Sequence, residues 1–255
     1  MQLRVIGCHG GETPKHRTSA FVLDDRLAID AGSLTSGLDL KLQYKLEAVL
    51  VSHAHLDHIR DLATIADNRA QYGCPPLLIV STKPTLGVLQ KHFFNNLLWP
   101  DFSQIPSKKE PTIQYEVLKP EKRTVIAGYG IRAIKVTHTI DTCAFIVDKN
   151  GASIAYSGDT GPTDRLWEVL NEEKDLRGLL MEVSFPNEHQ HVANLSGHHT
   201  PQTLLPDLKK FKQPKDLPTL LYHIKPAFQA TVEKQCAKLK GVELSVLSIG
   251  DQLLL

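Results

Sequence analysis

The chain has 255 residues, with 29 Lys and Arg against 28 Asp and Glu, and 42% of its residues are hydrophobic. That composition excludes disordered and fibrous structure and leaves room for a large core. A net charge of +1 gives no global field for a nucleic-acid backbone or an anionic membrane.

The elements read as strands first, then helices, twice over. Runs rich in Val, Ile and Leu predict strands at Leu3–Gly7, Ala20–Leu23, Leu27–Asp30, Ala48–Val51, Leu77–Val80 and Ile113–Leu118. A second series is expected at Ile131–Thr137, Ala144–Val147, Ser153–Tyr156, Gly178–Val183, Thr219–Tyr222 and Val242–Ile249. Helical periodicity fits His58–Tyr72, Pro84–Leu98, Asp164–Asn171, Pro201–Phe211 and Phe228–Leu239, several opened by Asp, Thr or Pro in capping positions. This order predicts two packed sheets with helices on their outer faces, each half of the chain supplying one sheet. The polar stretch Trp99–Pro111 reads as an exposed loop or flap, and no linker is long enough to divide the chain, so 1–255 is expected to be one domain.

Met1–Ile6 runs straight into the first strand without a secretory signal pattern, and no apolar run approaches the roughly 20 residues that span a bilayer. A cytoplasmic protein without membrane contact is expected. Cys8, Cys74, Cys143 and Cys236 form no C-x-x-C pair and read as buried structural thiols.

The 12 histidines, in contrast, cluster. The string Ser52-His53-Ala54-His55-Leu56-Asp57-His58 sits where one strand ends and a helical pattern begins. Residues two apart in extended chain point the same way, so His53 and His55 can offer imidazoles to one metal ion. After the chain turns, Asp57 and His58 can face a second ion. A catalytic zinc takes about three protein groups and keeps a position open. His138, Asp159 and His223 supply the remainder, each at the end of a predicted strand. One ion would take His53, His55 and His138, the other Asp57, His58 and His223, with Asp159 between them. Taken singly, each of these reads as a structural residue: Asp159 in Ser157-Gly158-Asp159-Thr160-Gly161 as a turn, His138 and His223 as strand ends. The H-x-H-x-D-H string reverses that.

H-x-H-x-D-H with the later His, S-G-D-T and strand-end His resembles the metallo-β-lactamase superfamily. The resemblance implies an α/β fold, a four-layer αβ/βα sandwich of two mixed sheets with helices outside and a dinuclear metal site between the sheets. More narrowly, His53–His58, Ser157–Pro162, Leu195–His198, Tyr222–Pro226 and the opening from Gly10 to Ser33 are similar to the class II cyclic-nucleotide phosphodiesterases. Arg60–Ala63 and His199 depart from that family's pattern.

The activity so implied is hydrolysis of 3′,5′-cyclic nucleotides, cyclic AMP or cyclic GMP, to 5′-nucleotides by a metal-bridging hydroxide, Asp57 taking part as a ligand. His198 is the candidate for protonating the leaving oxygen or holding the phosphate, or else it merely flanks a helix; His199 and Lys225 are further substrate candidates. Two divalent ions are expected, Zn2+ foremost, with Mn2+ and Fe2+ compatible. Phe93, Phe94, Trp99, Phe102, Phe185 and Phe228 are either core residues or a platform for a base, while His9 and His16 read as loop residues and His189 and His191 as an exposed polar loop or part of the substrate rim. The partner is a small nucleotide; a homo-oligomer is compatible, and RNA is not the expected partner. The rivals weighed are a tRNA 3′-end-processing ribonuclease, a thioester or lactone hydrolase and a diiron electron-transfer protein; His55, where the last carries an acid, argues for hydrolysis.

Overall fold

The computed structural model describes residues 1–212 and 217–255. Among them β1 (Gln2–Gly7), β2 (Ala20–Leu23), β3 (Leu27–Ile29), β4 (Ala48–Leu50), β5 (Leu77–Thr82) and β6 (Ile113–Leu118) line up in chain order as one sheet. A second sheet runs β7 (Thr124–Ile126), β8 (Tyr129–Lys135), β9 (Cys143–Lys149), β10 (Ala152–Tyr156), β11 (Leu176–Glu182), β12 (Thr219–Tyr222) and β13 (Leu244–Val246). Each sheet starts as an antiparallel meander and continues with parallel strands, β3 to β6 in one and β10 to β13 in the other. Parallel pairs need crossover connections, which is where helices enter.

Strand alternation sorts the side chains into layers. Phe21, Leu23, Ile29, Leu50, Phe145, Tyr156 and Leu180 point between the sheets and form the central core. The alternate residues Val22, Ala28 and Val49 meet Ile65 and Leu86 of helices Leu62–Tyr72 and Lys83–Val88 on one outer face. Ala155, Leu179 and Leu221 meet Trp167, Leu204 and Val232 of three helices on the other. The result is an αβ/βα sandwich of two mixed sheets, as the sequence predicts. No helix among the described residues is long and apolar enough to cross a membrane.

The departures from expectation have local causes. The expected strand Val242–Ile249 is only Leu244–Val246, because a turn follows in which Asp251 accepts from the Ser248 amide and Gly250 adopts φ +92°. Beyond it, β14 (Gln252–Leu254) crosses back to pair antiparallel with β1, Gln2 opposite Leu254, so the halves of the chain do not map cleanly onto the sheets. The helix expected over His58–Tyr72 is two, Leu56–Ile59 and Leu62–Tyr72. Between them the His58 carbonyl accepts from Ala31 and the Asp61 amide donates to Ala31, which diverts the backbone toward the loop after β3. The helix expected over Pro84–Leu98 closes early with a π-turn, Leu89–Phe93, and the Asn95 side chain then accepts from the Leu97 and Leu98 amides. Trp99–Pro111 is a loop, anchored by Phe102 in the outer core.

Asp24, in the β2–β3 turn, ties the sheets together: it accepts from Tyr129 (2.8 Å) and from Lys149 (2.8 Å), both on the second sheet. Burial pushes its carboxyl up, but the Gln2 amide, Lys149 and Tyr129 outweigh that and hold it at about 2. A carboxyl depressed in the folded state stabilises above its unfolded pKa of roughly 3.9 and ceases to as pH falls through the folded value. Asp24→Asn should therefore cost at most about 2 kcal/mol at neutral pH, less with solvent screening. Denaturant melts of both proteins should converge as pH drops from 5 toward 2; a pH-independent gap contradicts the assignment.

Candidate metal centre

Six strand ends meet at one edge of the sandwich. β4 delivers Ser52 and His53; the chain stays extended through His55, at the N-cap position of helix Leu56–Ile59, and the single turn of that helix carries Asp57 and His58. His138 follows β8, Asp159 follows β10 and His223 follows β12, while β3 and β11 bring Asp30 and Glu182. Asp159 rides on a turn whose Gly158 has φ +61°, and a Cβ there would lie 2.7 Å from the Cys143 carbonyl oxygen, so only glycine fits. Gly32 is equally constrained, because a Cβ would stand 1.9 Å from the Asp57 carbonyl oxygen.

The seven predicted ligand side chains come together as two clusters, His53–His55–His138 and Asp57–His58–His223, joined by a third grouping of His53, His58 and Asp159. In the first, His55 Nδ1 lies 3.0 Å from His53 Nε2 and 3.2 Å from His138 Nε2. In the second, His58 Nε2 and His223 Nε2 are 3.3 Å apart, and Asp57 Oδ2 stands 3.9 and 3.4 Å from them. Asp159 Oδ2 lies between the clusters, 3.7 Å from His53, 3.3 Å from His58 and 3.2 Å from His223. Ligands of a tetrahedral ion with bonds of roughly 2.0–2.1 Å are spaced by about 3.3 Å, and these donors, from 3.0 to 3.9 Å apart, bracket that spacing. Asp159 Oδ1 is buried without a hydrogen-bond partner, an orphan atom that a cation would satisfy. The donor set fits a divalent metal.

The opposite ring nitrogens are held from behind. His58 Nδ1 donates to Asp30 Oδ2 (2.7 Å), His53 Nδ1 to Ser52 Oγ (3.0 Å), His138 Nδ1 to the Gly197 carbonyl (3.0 Å) and His223 Nδ1 to Ser184 Oγ (2.9 Å). These bonds fix each tautomer with its other nitrogen facing the cluster. Burial foremost lowers the pKa of His53, His55, His138 and His223, which favours the neutral form that metal ligation would require. For His58 burial also acts downward, but Asp159 and Asp30 outweigh it and raise the value. Asp159 and Asp57 stay ionised: burial acts upward on both, and the surrounding imidazoles override it.

His198 joins the edge of this site. Its Nδ1 donates to Glu182 Oε1 (2.8 Å), its ring stacks 5.3 Å from His223, and one ring nitrogen lies within 4.8 Å of donor atoms of His138 and Asp159. Glu182 is fully buried and also accepts from the Thr160 amide and from Ser184; burial, then the charge of Asp159, pushes it up to about 7. Lys225 sits at the rim with Nζ donating to the Gly10 carbonyl (2.7 Å). His199, also a substrate candidate by sequence, is 0% exposed, its Nδ1 beside Thr203 and its Nε2 3.6 Å from Asp207. Such a ring backs the His198 loop and does not reach the opening.

The aromatic candidates divide. Phe93, Phe94 and Phe102 belong to the outer core, and Trp99 is pinned by its Nε1 bond to the Ala63 carbonyl. Phe185 alone among the six contacts a candidate site residue, 5.8 Å from His198, with Phe228 behind it and His189 packed on Phe228. His9 and His16 pack edge to face in the loop over His223. Asp30, Ser52, Glu182, Ser184 and Tyr156 were not singled out by sequence as site residues, because each reads there as an ordinary strand-end or core residue.

The sequence matches the Beta-lactamase superfamily domain over residues 31–223, a span that includes every donor in both clusters. The chain belongs to this family. Within the superfamily it is similar, at 27% identity over 96% of its length, to a probable 3′,5′-cyclic-nucleotide phosphodiesterase of Yersinia pestis, 87% of which is covered. A 3′,5′-cyclic-nucleotide phosphodiesterase of Aliivibrio fischeri matches at 27% over 96% of this chain and 88% of its own. The crystal structure of unliganded yeast PDE1 shares the fold with a TM-score of 0.84 at 20% identity, covering 100% of this chain and 99% of that one.

Proposed function

We propose that this superfamily member is a single-domain, dinuclear metal-dependent phosphodiesterase that hydrolyses 3′,5′-cyclic nucleotides to 5′-nucleotides. The observation that carries the reading is the position of Asp159 Oδ2, within 3.7 Å of His53, His58 and His223 and so shared by both donor clusters. The similarity to cyclic-nucleotide phosphodiesterases along nearly the whole chain supports the substrate class. One ion would be held by His53, His55 and His138, the other by Asp57, His58 and His223; imidazole and carboxylate suit Zn2+, with Mn2+ and Fe2+ compatible. A bound pair supplies an activated water and stabilises charge on phosphate oxygens during in-line displacement.

The chain's own groups do the rest. Asp57 and Asp159 stay ionised and so donate no proton to the leaving 3′-oxygen. The Glu182–His198 pair is the group suited to that step: Glu182 accepts from Nδ1, and although burial lowers the pKa of the ring, a second proton taken up at Nε2 would pass to the leaving oxygen and return the ring to neutral imidazole. Lys225 adds positive charge beside His198 and His223, where an anionic phosphate would bind. His199 braces the loop and is not part of substrate contact.

The test is an assay of purified protein against cyclic AMP, cyclic GMP, a 2′,3′-cyclic nucleotide and a precursor tRNA, with and without chelator. Chelator-sensitive release of 5′-nucleotide from a 3′,5′-cyclic substrate is expected. Cleavage of the tRNA alone contradicts the substrate assignment.

A further inference from the structure

Of the histidines in the two clusters, His58 is the one whose rear nitrogen bonds a carboxylate, and that carboxylate serves more than His58. Asp30 follows β3 on the first sheet, has φ +56° and is 0% exposed. Its Oδ2 accepts from His58 Nδ1 (2.7 Å), from Ser52 Oγ (2.8 Å) and from the Tyr156 hydroxyl (2.6 Å), while Oδ1 accepts from the Ser52 amide (2.7 Å). Ser52 Oγ in turn accepts from His53 Nδ1. One carboxylate oxygen therefore orients a histidine of each cluster, His58 directly and His53 through one hydroxyl.

Tyr156 is the outside support of this arrangement. It ends β10 on the opposite sheet, three residues before Asp159, and is 0% exposed, 5.5 Å from Phe21 and stacked 5.0 Å from Tyr222. Every other hydrogen bond to Asp30 named above comes from Ser52 or His58, groups on the same side of the sandwich. Among the hydrogen bonds to Asp30 the phenol alone comes directly from the second sheet, whose Cys143 amide otherwise reaches across only to the Ser52 carbonyl (3.1 Å), so Tyr156 ties the carboxylate behind His58 and His53 to the strand that delivers Asp159. Burial, then the charge of Asp30, raises the phenol's pKa well above its ordinary value, and it remains a donor.

We propose that Tyr156 is a positioning residue for the metal centre, holding Asp30 so that His58 and His53 face Asp159 across the gap between the sheets. Without the hydroxyl, Asp30 loses its one direct bond from the second sheet and keeps only the indirect tie through Ser52 and Cys143, so the rings it orients are held less firmly relative to Asp159. His58 would suffer most, being directly attached. The inference rests on the reading of two metal positions but not on the identity of the substrate.

The variant is Tyr156→Phe, with Phe21→Leu as a control that loosens the same aromatic packing while leaving the hydroxyl in place. Apoprotein is titrated with Zn2+ in competition with a chromophoric chelator, and the downfield proton resonance of the His58 Nδ1–H is followed by NMR. Tyr156→Phe should weaken at least one of two zinc-binding steps by about 10–100-fold, the range typical of groups behind metal ligands, and should shift that proton resonance. Phe21→Leu should lower the melting temperature and leave zinc affinity unchanged. Unchanged affinity in Tyr156→Phe, or a loss no greater than that of Phe21→Leu, overturns the proposal. A wild-type isotherm with fewer than two zinc ions overturns the dinuclear reading itself, whichever substrate the enzyme prefers.

Discussion

Replacement of Asp159 with Ala should lower kcat/KM for cyclic-nucleotide hydrolysis by about 1,000-fold, roughly 4 kcal/mol of transition-state stabilisation. The reason is topological: Asp159 is the group common to both donor clusters, and its Oδ2 faces three histidines. Without it neither cluster keeps its full donor set, and five buried or half-buried imidazoles are left with Asp57 as the remaining carboxylate among the seven. Elemental analysis should find fewer than two ions per chain. Asp159→Asn keeps the shape and removes the charge, so it should lose metal as well. The carboxylate is surrounded by groups that a metal would occupy, and Oδ1 makes no hydrogen bond, so the fold should survive both substitutions. A variant that keeps two ions and a rate within tenfold of the parent contradicts the shared-ligand assignment.

The second large effect is expected at His198. His198→Gln should reduce kcat toward cyclic AMP by about 10²–10⁴-fold, the usual contribution of a placed general acid, while the metal content stays unchanged. The chemistry permits a sharper discrimination. A ribose 3′-oxygen leaves as a poor alkoxide and needs a proton, whereas a p-nitrophenolate leaves without one. Hydrolysis of bis(p-nitrophenyl) phosphate should therefore be much less affected than hydrolysis of cyclic AMP. Equal losses on the two substrates would show that His198 binds phosphate and is no acid. Glu182→Gln should give a smaller defect of the same kind, because Glu182 acts through the ring of His198.

Much of the candidate site is legible in sequence because its predicted ligands are tied to strand ends. His53, His55, Asp57 and His58 lie within six residues, where extended chain passes into helix, so the local geometry alone aligns them. His138, Asp159 and His223 each follow a strand that a run of apolar residues predicts, and strand ends of two packed sheets share an edge. The supporting groups carry no such mark. Asp30, Tyr156 and Glu182 close or follow strands just as many structural residues do, and what singles them out is the bond each makes to another strand's end. Tyr156 reaches Asp30 across 126 positions of sequence. His199, a further substrate candidate by sequence, is placed by its structure: neighbouring residues entering a helix N-terminus point in different directions, and His199 is buried with its Nε2 3.6 Å from Asp207. The same limit applies to β7 and β14. Three-residue strands at the margins of the sheets are too short to show a period, and their pairing with β8 and β1 decides them.

The most direct measurement of the central claim is anomalous diffraction from a crystal of the zinc-loaded protein, recorded above and below the zinc edge. Two peaks are expected about 3.5–4 Å apart, one among His53, His55 and His138 and the other among Asp57, His58 and His223, with Asp159 touching both. A single peak, or peaks elsewhere on the molecule, would contradict the dinuclear centre on which the proposed chemistry rests.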